Sequence, residues 1–340
     1  MKKQLSVLLV SAFLAVGISS CNNDNPNPTA SVSATATATT KATTPKSVRI
    51  ASFSVAVDYA PYLVAKNKGW FEEAMKAKGV TVEYTVFQSL PPINEAFATN
   101  KVDVVFEAEP PALVAEAAGI DVVIPEISAT LTQDILVGSN STIKTAADLK
   151  NKKVAVLVGT SVHYGLLKTA EANGVKAEDI QVIDMIPPDA KNAFETNKVD
   201  AWAIWPPFVQ QEEISGKGRV LPKGDAVIHS FMVVRASFAK DNRDLTKDLV
   251  AVLEKSKKWI QENPAEAQQI VAKELGIPLP VIQKAWTSHN WAAKLTPDVT
   301  ADVQAKSDFM KKNNFIRKDV DVKNELIDTS FVVPSPTPAK

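Results

Sequence analysis

The phrase that decides the fold occurs twice in the chain, as "AFATNKVD" at Ala96–Asp103 and as "AFETNKVD" at Ala193–Asp200. The two copies are offset by 97 positions (193 minus 96), and each is followed by a proline pair, Pro110–Pro111 and Pro206–Pro207. Each copy predicts the end of a helix, a turn at Asn-Lys and a buried strand that opens with Val-Asp. Proline suits the first turn of a helix, where its missing N–H would be unpaired anyway, so each pair predicts a new helix.

The segments around both copies alternate between strand-like and helix-like patterns. The strand-like runs are "SVRIASF", "VTVEYTVF" and "KVDVVF" in the first half, and "KVAVLV", "IQVIDMI" and "VDAWAIW" in the second. Short strands separated by helical stretches indicate an α/β fold with parallel sheets. From Arg243 onward the pattern becomes mainly helical.

The duplication predicts two sheets whose carboxyl edges face each other. Ligands of open α/β sheets bind at this edge, close to helix N-termini whose N–H groups are unsatisfied. We therefore predict two lobes with a ligand cleft between them. The alternative is a repeated packing unit that serves only to bury surface.

Composition and charge limit the possible partners. The chain has 340 residues, enough for two lobes, and 45% of them are hydrophobic. Its 38 basic and 38 acidic residues give a formal net charge of zero. Because no overall field results, neither nucleic acid nor a charged membrane surface is expected as a partner.

The first residues read as a targeting segment. Lys2 and Lys3 precede the apolar run "LSVLLVSAFLAVGI", and small residues then lead to Cys21, the only cysteine in the chain. This order is similar to the lipobox of bacterial lipoproteins, which implies a signal peptide at residues 1–21 and a lipid on Cys21. The alternative is an ordinary secretory signal with a stray or buried thiol. In either case we expect no internal disulfide.

Two further segments have the composition of flexible chain. Residues 22–46 contain repeated Ala-Thr, almost no charge and no aromatic residue, which predicts a tether that holds a folded body off a membrane. Residues 331–340 end in "VVPSPTPAK" and predict a flexible tail.

Four longer phrases resemble the solute-binding proteins of ATP-binding-cassette (ABC) importers, in the branch for aliphatic sulfonates, taurine and nitrate. They cover most of Ile50–Glu213 and read "APYLVAKNKGWFEE", "PPINEAFATNKVDVVFEAEPPALVAEAAG", "TIKTAADLKNKKVAVLVGTSVHYGLLKTAEANGV" and "PPDAKNAFETNKVDAWAIWPPFVQQEE". The resemblance implies an α/β fold of the type II periplasmic-binding-protein class, with the ligand between two lobes that close like a hinge. It also implies delivery of the ligand to a permease and ATPase complex, a monomer, and no cofactor.

The two chain crossings between the lobes can be placed on this resemblance. The chain is expected to leave lobe one near Asp134–Gly138 and to return near Phe231–Arg235. Lobe one then comprises residues 47–136 plus 235–330, and lobe two comprises residues 137–234.

The segment "VLVGTSVHYG" is the strongest candidate for a ligand contact. Gly159 allows close backbone approach, and Thr160 and Ser161 open a helix whose hydroxyl and N–H groups would suit an anion without any cationic side chain. The resemblance implies that this loop contacts the anionic head of the ligand. The alternative is a simple helix cap.

Other candidates follow from the family's contact loops and from residue type. The first contact loop implies Val57, Asp58 and Tyr59, and the loop after the second strand implies Gln88 and Ser89. Trp202 and Trp205 form either an apolar wall of the cleft or part of the core. His163 follows the anion loop, although a lone histidine is more often a polar surface residue or one with its hydrogen bonds satisfied. With His229 and His289 isolated in the sequence, no metal site is expected.

One departure from the family concerns charge. Glu107 and Glu109 replace part of a small-residue loop that sulfonate binders usually carry, and Asp58 and Asp134 are expected near the same cleft. Unpaired carboxylates there would repel a sulfonate by about 1–4 kcal/mol at 4 Å and would favour a zwitterion or an amine. Alternatively, the two glutamates cap the following helix from solvent.

Together these features predict an extracytoplasmic lipoprotein, held in the periplasm or on the outer face of the cytoplasmic membrane. It would bind an aliphatic sulfonate or a taurine-like solute for an ABC importer. The alternatives are another solute (nitrate, bicarbonate, an amine or a pyrimidine precursor) or a ligand-sensing adaptor for a receptor. An enzyme is not expected, because the sequence lacks a phosphate-binding glycine loop, a Gly-x-Ser-x-Gly motif and the cysteine-rich motif of related pyrimidine-precursor synthases.

Overall fold

The computed structural model describes residues 44–53, 56–87, 91–222, 224 and 226–332. The predicted signal peptide, the lipid site at Cys21 and most of the predicted tether lie outside these residues. The expected tail at 331–340 begins too early, because Phe331 is only 2% exposed and packs into a hydrophobic core. Its ring also lies 4.6 Å from the guanidinium of Arg243, so the ordered chain extends at least to this residue.

Eleven strands and twelve α-helices form the described body. The strands are β1 (Ser47–Phe53), β2 (Thr81–Phe87), β3 (Val104–Ala108), β4 (Val122–Thr132), β5 (Asp134–Gly138), β6 (Lys153–Val156), β7 (Gln181–Asp184), β8 (Ala201–Ile204), β9 (Gly218–Val220), β10 (Val227–Arg235) and β11 (His289–Asn290). The helices are α1 (Ala60–Asn67), α2 (Trp70–Lys76), α3 (Pro91–Ala98), α4 (Glu109–Ala117), α5 (Ser161–Ala172), α6 (Pro187–Glu195), α7 (Phe208–Ile214), α8 (Ala236–Asp241), α9 (Arg243–Glu262), α10 (Pro264–Leu275), α11 (Leu279–Trp286) and α12 (Pro297–Lys312).

The strands form two sheets built on one plan. The first sheet has the order β11-β4-β10-β3-β1-β2 and the second the order β7-β6-β8-β5-β9. In each sheet three strands are parallel (β2-β1-β3 and β7-β6-β8), and an antiparallel strand, β10 or β5, pairs with the third of them. We call the first sheet with its helices lobe one and the second sheet with its helices lobe two.

Sheet pairing places the first crossing next to the expected segment and the second at earlier residues than expected. The chain passes from β4 to β5 at Gln133, and Asp134 already pairs with Ile204 of lobe two. On the return, β10 pairs with β4 from Val227, opposite Thr132, and not from Phe231. The expected return near Phe231–Arg235 was therefore wrong, because the antiparallel ladder between the two crossing strands begins four residues earlier.

The duplicated phrase forms the same turn in both lobes. Thr99 and Thr196 each donate a side-chain hydrogen bond of 2.7 Å to a carbonyl four residues earlier, at the ends of α3 and α6. Asn100 and Asn197 then adopt left-handed backbone conformations, with φ of 54° and 56°. Asparagine is one of the few residues that tolerate this conformation, which explains why both copies carry it at the turn.

The aspartate that closes each copy clamps the neighbouring parallel strand. Asp103 accepts the backbone N–H of Arg49 at 3.0 Å through its carboxylate, and Asp200 accepts that of Lys153 at 2.8 Å. The backbone N–H of each aspartate returns a hydrogen bond to the carbonyl of the same partner. In lobe one the carboxylate also binds the guanidinium groups of Arg49 and Arg235, at 2.7 and 2.6 Å.

Helices cover both faces of the sheets. In lobe one, α1, α9 and α10 bury one face, and α4 and α12 bury the other. In lobe two, α5 packs on one face, and α6 with α7 packs on the other. Because parallel strands are buried on both faces, the loops at their carboxyl ends remain the part of each sheet that is open to a ligand.

The clamp predicts unequal costs for the two aspartates. Asp103→Ala should lower the free energy of unfolding by about 3 kcal/mol, because the carboxylate is buried and two arginines lose their partner. Asp200→Ala, at an exposed position with one backbone partner, should cost about 1 kcal/mol. Urea unfolding of the two variants measures the difference. Equal losses would show that the arginine pairs contribute nothing.

Candidate functional site

A cavity of about 60 Å³ lies between the carboxyl edges of the two sheets, and we call it the cleft cavity. Lobe one contributes Phe53, Ala56, Asp58, Tyr59, Ala108, Pro110 and Pro111; lobe two contributes Leu157, Thr160, Ser161, Val162 and Trp205; the crossing strands contribute Leu131 and Ile228. The lining is mostly apolar. Among the described residues that line it, polar groups are carried by Asp58, Tyr59, Thr160 and Ser161 and by the indole N–H of Trp205.

The strand ends explain why these residues meet. Ala108 ends β3, and Pro110 and Pro111 then occupy the first turn of α4. In lobe two, Leu157 directly follows β6 and Trp205 directly follows β8. The predicted cleft between two facing edges is therefore present, and the first of the two proline pairs lines it.

The start of α5 supplies backbone groups rather than hydroxyl hydrogens. Thr160 Oγ1 donates to the Leu157 carbonyl at 2.6 Å and accepts the backbone N–H of His163 at 3.4 Å, which makes it the helix cap. Ser161 Oγ donates to Glu109 Oε2 at 2.6 Å. A hydroxyl carries a single hydrogen, so neither side chain has one left for an anion. The backbone N–H of His163 is used by this cap, so the donors that remain in the first helical turn are the N–H groups of Ser161 and Val162.

Gly159 lies just before this helix start. Its φ of 80° is in the left-handed region, which glycine adopts without steric cost. Its N–H points to His163 Nδ1 at 3.4 Å, so it serves the loop's own geometry. Gly159 itself does not line the cleft cavity.

Asp58 is the one acidic residue among the described residues that line the cleft cavity. It is 4% exposed, its carboxylate accepts a hydrogen bond from Ser230 Oγ, and its carbonyl accepts one from Ser128 Oγ at 3.1 Å. Burial raises the pKa of the Asp58 carboxyl to about 6. Tyr59 beside it has its pKa raised by burial and by nearby carboxylates, so its hydroxyl stays protonated. Val57, in contrast, lies fully buried in the core of lobe one.

Glu107 and Glu109 are both fully buried, so the idea that they cap α4 from solvent was wrong. Neither lines the cleft cavity. Glu109 accepts from the Lys306 ammonium at 2.5 Å and from the backbone N–H of His229 at 2.8 Å. Glu107 has no hydrogen-bond partner among the described residues, and burial raises its pKa to about 8, so it is mainly neutral at pH 7.

One group of carboxylates and histidine has the spacing of a metal site. Ligand atoms of Glu109, His229 and Asp302 lie within 4.8 Å of one another. However, the Lys306 ammonium contacts both carboxylates, at 2.5 and 2.7 Å. It supplies the positive charge that a metal ion would supply, which argues against a metal there.

Two other predicted ligand contacts, Asp134 and His163, do not line the cleft cavity. Asp134 lines a separate small cavity behind α5, together with Gln133 and Leu166. His163 is buried with its ring 5.7 Å from those of Phe309 and Phe315, and burial lowers its pKa. These positions do not support direct ligand contact.

One of the two candidate tryptophans lies in the core and the other lines the cleft cavity. Trp202 is fully buried between Phe194 and Phe208, in the core of lobe two. Trp205 lines the cleft cavity and is half-buried. Gln88 and Ser89 lie outside the described residues.

Sequence reasoning missed several residues of the site. Leu131 and Ile228 lie on the crossing strands, and a floor formed by these strands follows from the two-lobed topology itself. Phe53 could have been predicted, because it ends β1 and strand ends lie at the ligand-binding edge of the sheet. Lys306 could not have been predicted, because it lies 197 positions from Glu109 and no sequence signal links the two residues.

The comparisons with known proteins agree with this geometry. The profile of the NMT1/THI5-like family matches residues 56–267. The chain belongs to this family. A relative from Bacillus subtilis (strain 168), named for binding aliphatic sulfonates, is 30% identical over 297 residues, which covers 84% of this chain and 87% of the relative.

Solved structures show the same fold. The periplasmic aliphatic sulphonate binding protein SsuA from Escherichia coli is 28% identical with a TM-score of 0.75, over 83% of this chain and 97% of that one. The desulfurization enzyme DszB has a TM-score of 0.66 over 84% of this chain and 97% of its own, and at 16% identity this likeness shows the fold alone. The predicted two-lobed fold and the family resemblance are confirmed. Within the part of the chain that the structure describes, no helix has both the length and the apolarity to cross a membrane.

The raised pKa of Asp58 predicts a pH-dependent stability. The folded protein holds this proton up to about pH 6, whereas an unfolded aspartate releases it near pH 4. The protein therefore loses stability as pH rises through this window, by about 3 kcal/mol from this group alone. Asparagine does not titrate in this range, so Asp58→Asn should remove that loss. The free energy of unfolding of Asp58→Asn minus that of the parent should therefore increase between pH 4 and pH 7.

Urea unfolding of the parent and Asp58→Asn at several pH values tests this. Asp319→Asn, at an exposed side chain, is the matched control and should follow the parent. A constant difference between Asp58→Asn and the parent at all pH values would contradict the buried, proton-holding carboxyl.

Proposed function

We propose that this chain is the solute-binding protein of an ABC importer and holds a small aliphatic sulfonate in the cleft cavity. The observation that carries the proposal is the cavity itself, shared by the two sheet edges, with the start of α5 on one side and an apolar lining on the others. Its relatives, which are named as sulfonate binders, support the ligand class.

The lining suits a ligand with one anionic end and an aliphatic tail. The sulfonate oxygens would accept hydrogen bonds from backbone N–H groups at the start of α5, where the helix dipole also favours negative charge. The tail would pack against Trp205, Phe53 and Leu131 and lose its contact with water. Nitrate and bicarbonate have no aliphatic tail, so they would make no hydrophobic contacts with most of this lining.

The lobes would close on the ligand by movement about the two crossings. We assign residues 47–132 and 227–332 to lobe one, and residues 134–220 to lobe two, from the pairing of the strands. Contacts outside the cavity also join the lobes: Lys284 pairs with Glu213 at 3.1 Å, and Tyr164 packs edge-on against Phe309 at 5.2 Å. Closure would therefore bury the ligand under contacts on both sides of the cleft.

A taurine-like zwitterion is the second candidate, and Asp58 favours it. An ammonium group beside this carboxylate would offset the charge that otherwise opposes a sulfonate. Glu109 adds little to that repulsion because Lys306 neutralises it, and Glu107 adds little because it is mainly protonated. Among the described residues, a simple sulfonate therefore meets one carboxylate without a cationic partner in the cleft, that of Asp58.

We further propose that the protein binds its ligand without catalysing a reaction. It is located outside the cytoplasm and carries a lipid on Cys21. Ser161 lines the cleft cavity and donates to the carboxylate of Glu109, which is ion-paired with Lys306. Such a carboxylate is a poor general base. The proposed partners are a permease and ATPase complex, with the protein acting as a monomer. A receptor adaptor would use the same cleft.

Trp205→Ala tests the apolar wall. Loss of the indole should weaken ethanesulfonate binding at least tenfold in isothermal titration calorimetry, because the tail loses its largest apolar neighbour. Trp259→Ala is the matched control: this half-buried tryptophan packs on Trp70 and does not line the cleft cavity, so the variant should bind as the parent does. Taurine, nitrate and bicarbonate are titrated in parallel. Tighter binding of nitrate than of any sulfonate would reject the proposed ligand class.

Val162→Pro tests the backbone donors of α5. Val162 is the second residue of this helix, the position that Pro110 occupies in α4, and proline is compatible with the first turn of a helix. Val162→Ala removes the same side chain but keeps the N–H. The proline variant should bind ethanesulfonate at least tenfold more weakly than the alanine variant, with an unchanged circular dichroism spectrum. Equal affinities would place the anion elsewhere.

A further inference from the structure

A buried charge cluster lies where the two chain crossings meet α4 and α12. We call Glu109, His229, Asp302 and Lys306 the hinge cluster. The Lys306 side chain is 2% exposed, and its ammonium donates to Glu109 at 2.5 Å, to Asp302 at 2.7 Å and to the Val227 carbonyl at 2.8 Å. A buried ammonium that donates to three acceptors, two of them carboxylates, has all its hydrogen bonds satisfied and its charge paired.

The charges of the cluster depend on one another. Burial opposes the charged form of Lys306, but the attraction of Glu109 and Asp302 outweighs it and raises the pKa of the ammonium. For Asp302 burial likewise opposes ionisation, and the hydrogen bond from His229 with the charge of Lys306 lowers its pKa well below the usual range. Lys306 therefore stays cationic, and its ammonium supplies the positive charge beside the buried Glu109 carboxylate.

Both crossing strands are tied into the cluster. His229 lies on β10, and its Nδ1 pairs with Thr130 Oγ1 of β4 at 2.9 Å. Its Nε2 pairs with Asp302 at 3.2 Å, and its backbone N–H donates to Glu109 at 2.8 Å. The position of the Glu109 carboxylate is thus fixed by the two strands about which the lobes would move.

Lobe two reaches the cluster through the start of α5. Ser161 Oγ donates to Glu109 Oε2 at 2.6 Å, and both residues are buried. Lys168, further along α5, lies 3.9 Å from Asp302 but is half exposed, which makes that ion pair weak. A hydroxyl donating to a buried carboxylate belongs to the stronger class of hydrogen bonds. The Ser161–Glu109 bond is consequently a buried polar link between the lobes beside the cleft cavity.

We propose that Glu109 and Lys306 are positioning residues that hold the lobes closed, by fixing a charged acceptor for Ser161 at the hinge. The inference rests on the proposed function, because it assigns the closure step of a binding protein to particular residues. Ser161 then acts on the ligand indirectly. Its hydroxyl stabilises the closed arrangement in which the α5 backbone N–H groups face the ligand, and a closed arrangement formed in advance raises affinity.

This role differs from ordinary core packing in what it predicts. If the bond only stabilised the fold, its loss would lower the melting temperature and leave lobe separation unchanged. If it holds the lobes closed, its loss shifts the population toward the open arrangement in a protein that remains folded. The two readouts can be measured on the same samples.

The test uses spin labels on α11 and next to α7, the two helices that meet across the lobes. Cysteines at exposed Gln283 and Ser215 of the full chain, with Cys21→Ser, allow pulsed electron resonance distances with and without ethanesulfonate. Ser161→Ala should raise the ratio of open to closed molecules about tenfold. Ser256→Ala is the matched control, since it removes a buried hydroxyl that bonds the Pro61 carbonyl at 2.6 Å within lobe one, and should leave the ratio unchanged.

A double-mutant cycle separates the cluster from other effects. Ser161→Ala and Lys306→Met should each weaken ethanesulfonate binding about tenfold, and the double variant should be no weaker than the worse single one, because both break the same link. Full additivity would overturn the proposal, as would a Ser161→Ala protein with the parent's distance distribution. Where Lys306→Met fails to fold, Glu109→Gln takes its place in the cycle.

The outcome also separates this inference from the proposed ligand class. Lobe distances are measured without ligand as well as with it. A parent protein that binds none of the sulfonates, while Ser161→Ala still shifts the ligand-free distances, would reject the ligand and keep the hinge role. Normal sulfonate binding by a Ser161→Ala protein with unshifted distances would reject the hinge role and keep the ligand.

Discussion

The pairing of β10 with β3 and β4 is the constraint on which the cleft depends. Each sheet completes itself with an antiparallel strand that belongs to a crossing, β10 in lobe one and β5 in lobe two. Because both crossings are parts of the ladders, the lobes cannot rotate freely, and the carboxyl edges of their parallel strands stay directed at the same space. The position of the cavity is thus a consequence of backbone hydrogen bonding, and side chains decide only what enters it.

Burial of charge decides what the cleft offers to a ligand. Three acidic side chains at or near the cavity are buried, and each is handled differently: Glu109 by an ion pair with Lys306, Glu107 by retention of its proton, and Asp58 by a hydrogen bond from Ser230. Burial of an unpaired carboxylate costs far more than the energy of any single contact here, so the protein neutralises two of the three. Asp58 is left as the group whose charge state a ligand would sense.

The repeated phrase allowed much of the fold to be predicted, because its physics is local. The threonine bond, the left-handed asparagine and the aspartate clamp each involve residues that are near in sequence or on adjacent parallel strands. Of the residues proposed from the sequence as ligand contacts, Asp58, Tyr59, Thr160, Ser161 and Trp205 line the cavity. Trp202 and Asp134 could not be separated from these by residue type, since strand register alone directs them elsewhere. The role of Lys306 could not be predicted, because this residue lies on α12 and comes close to Glu109 only when the chain is folded.

The two helix starts beside the cavity have opposite chemistry. At α4 the first turn carries Glu109 and two prolines, so it has fewer N–H donors and already holds a negative charge that favours the helix dipole. At α5 the N–H groups of Ser161 and Val162 remain available, whereas the hydroxyl hydrogens of Thr160 and Ser161 are donated to Leu157 and Glu109. An anion therefore has one favourable end of the cleft. The carboxylate that makes α4 unsuitable is also the acceptor that draws α5 toward it, so one side chain contributes both to the polarity of the site and to the closure of the lobes around it.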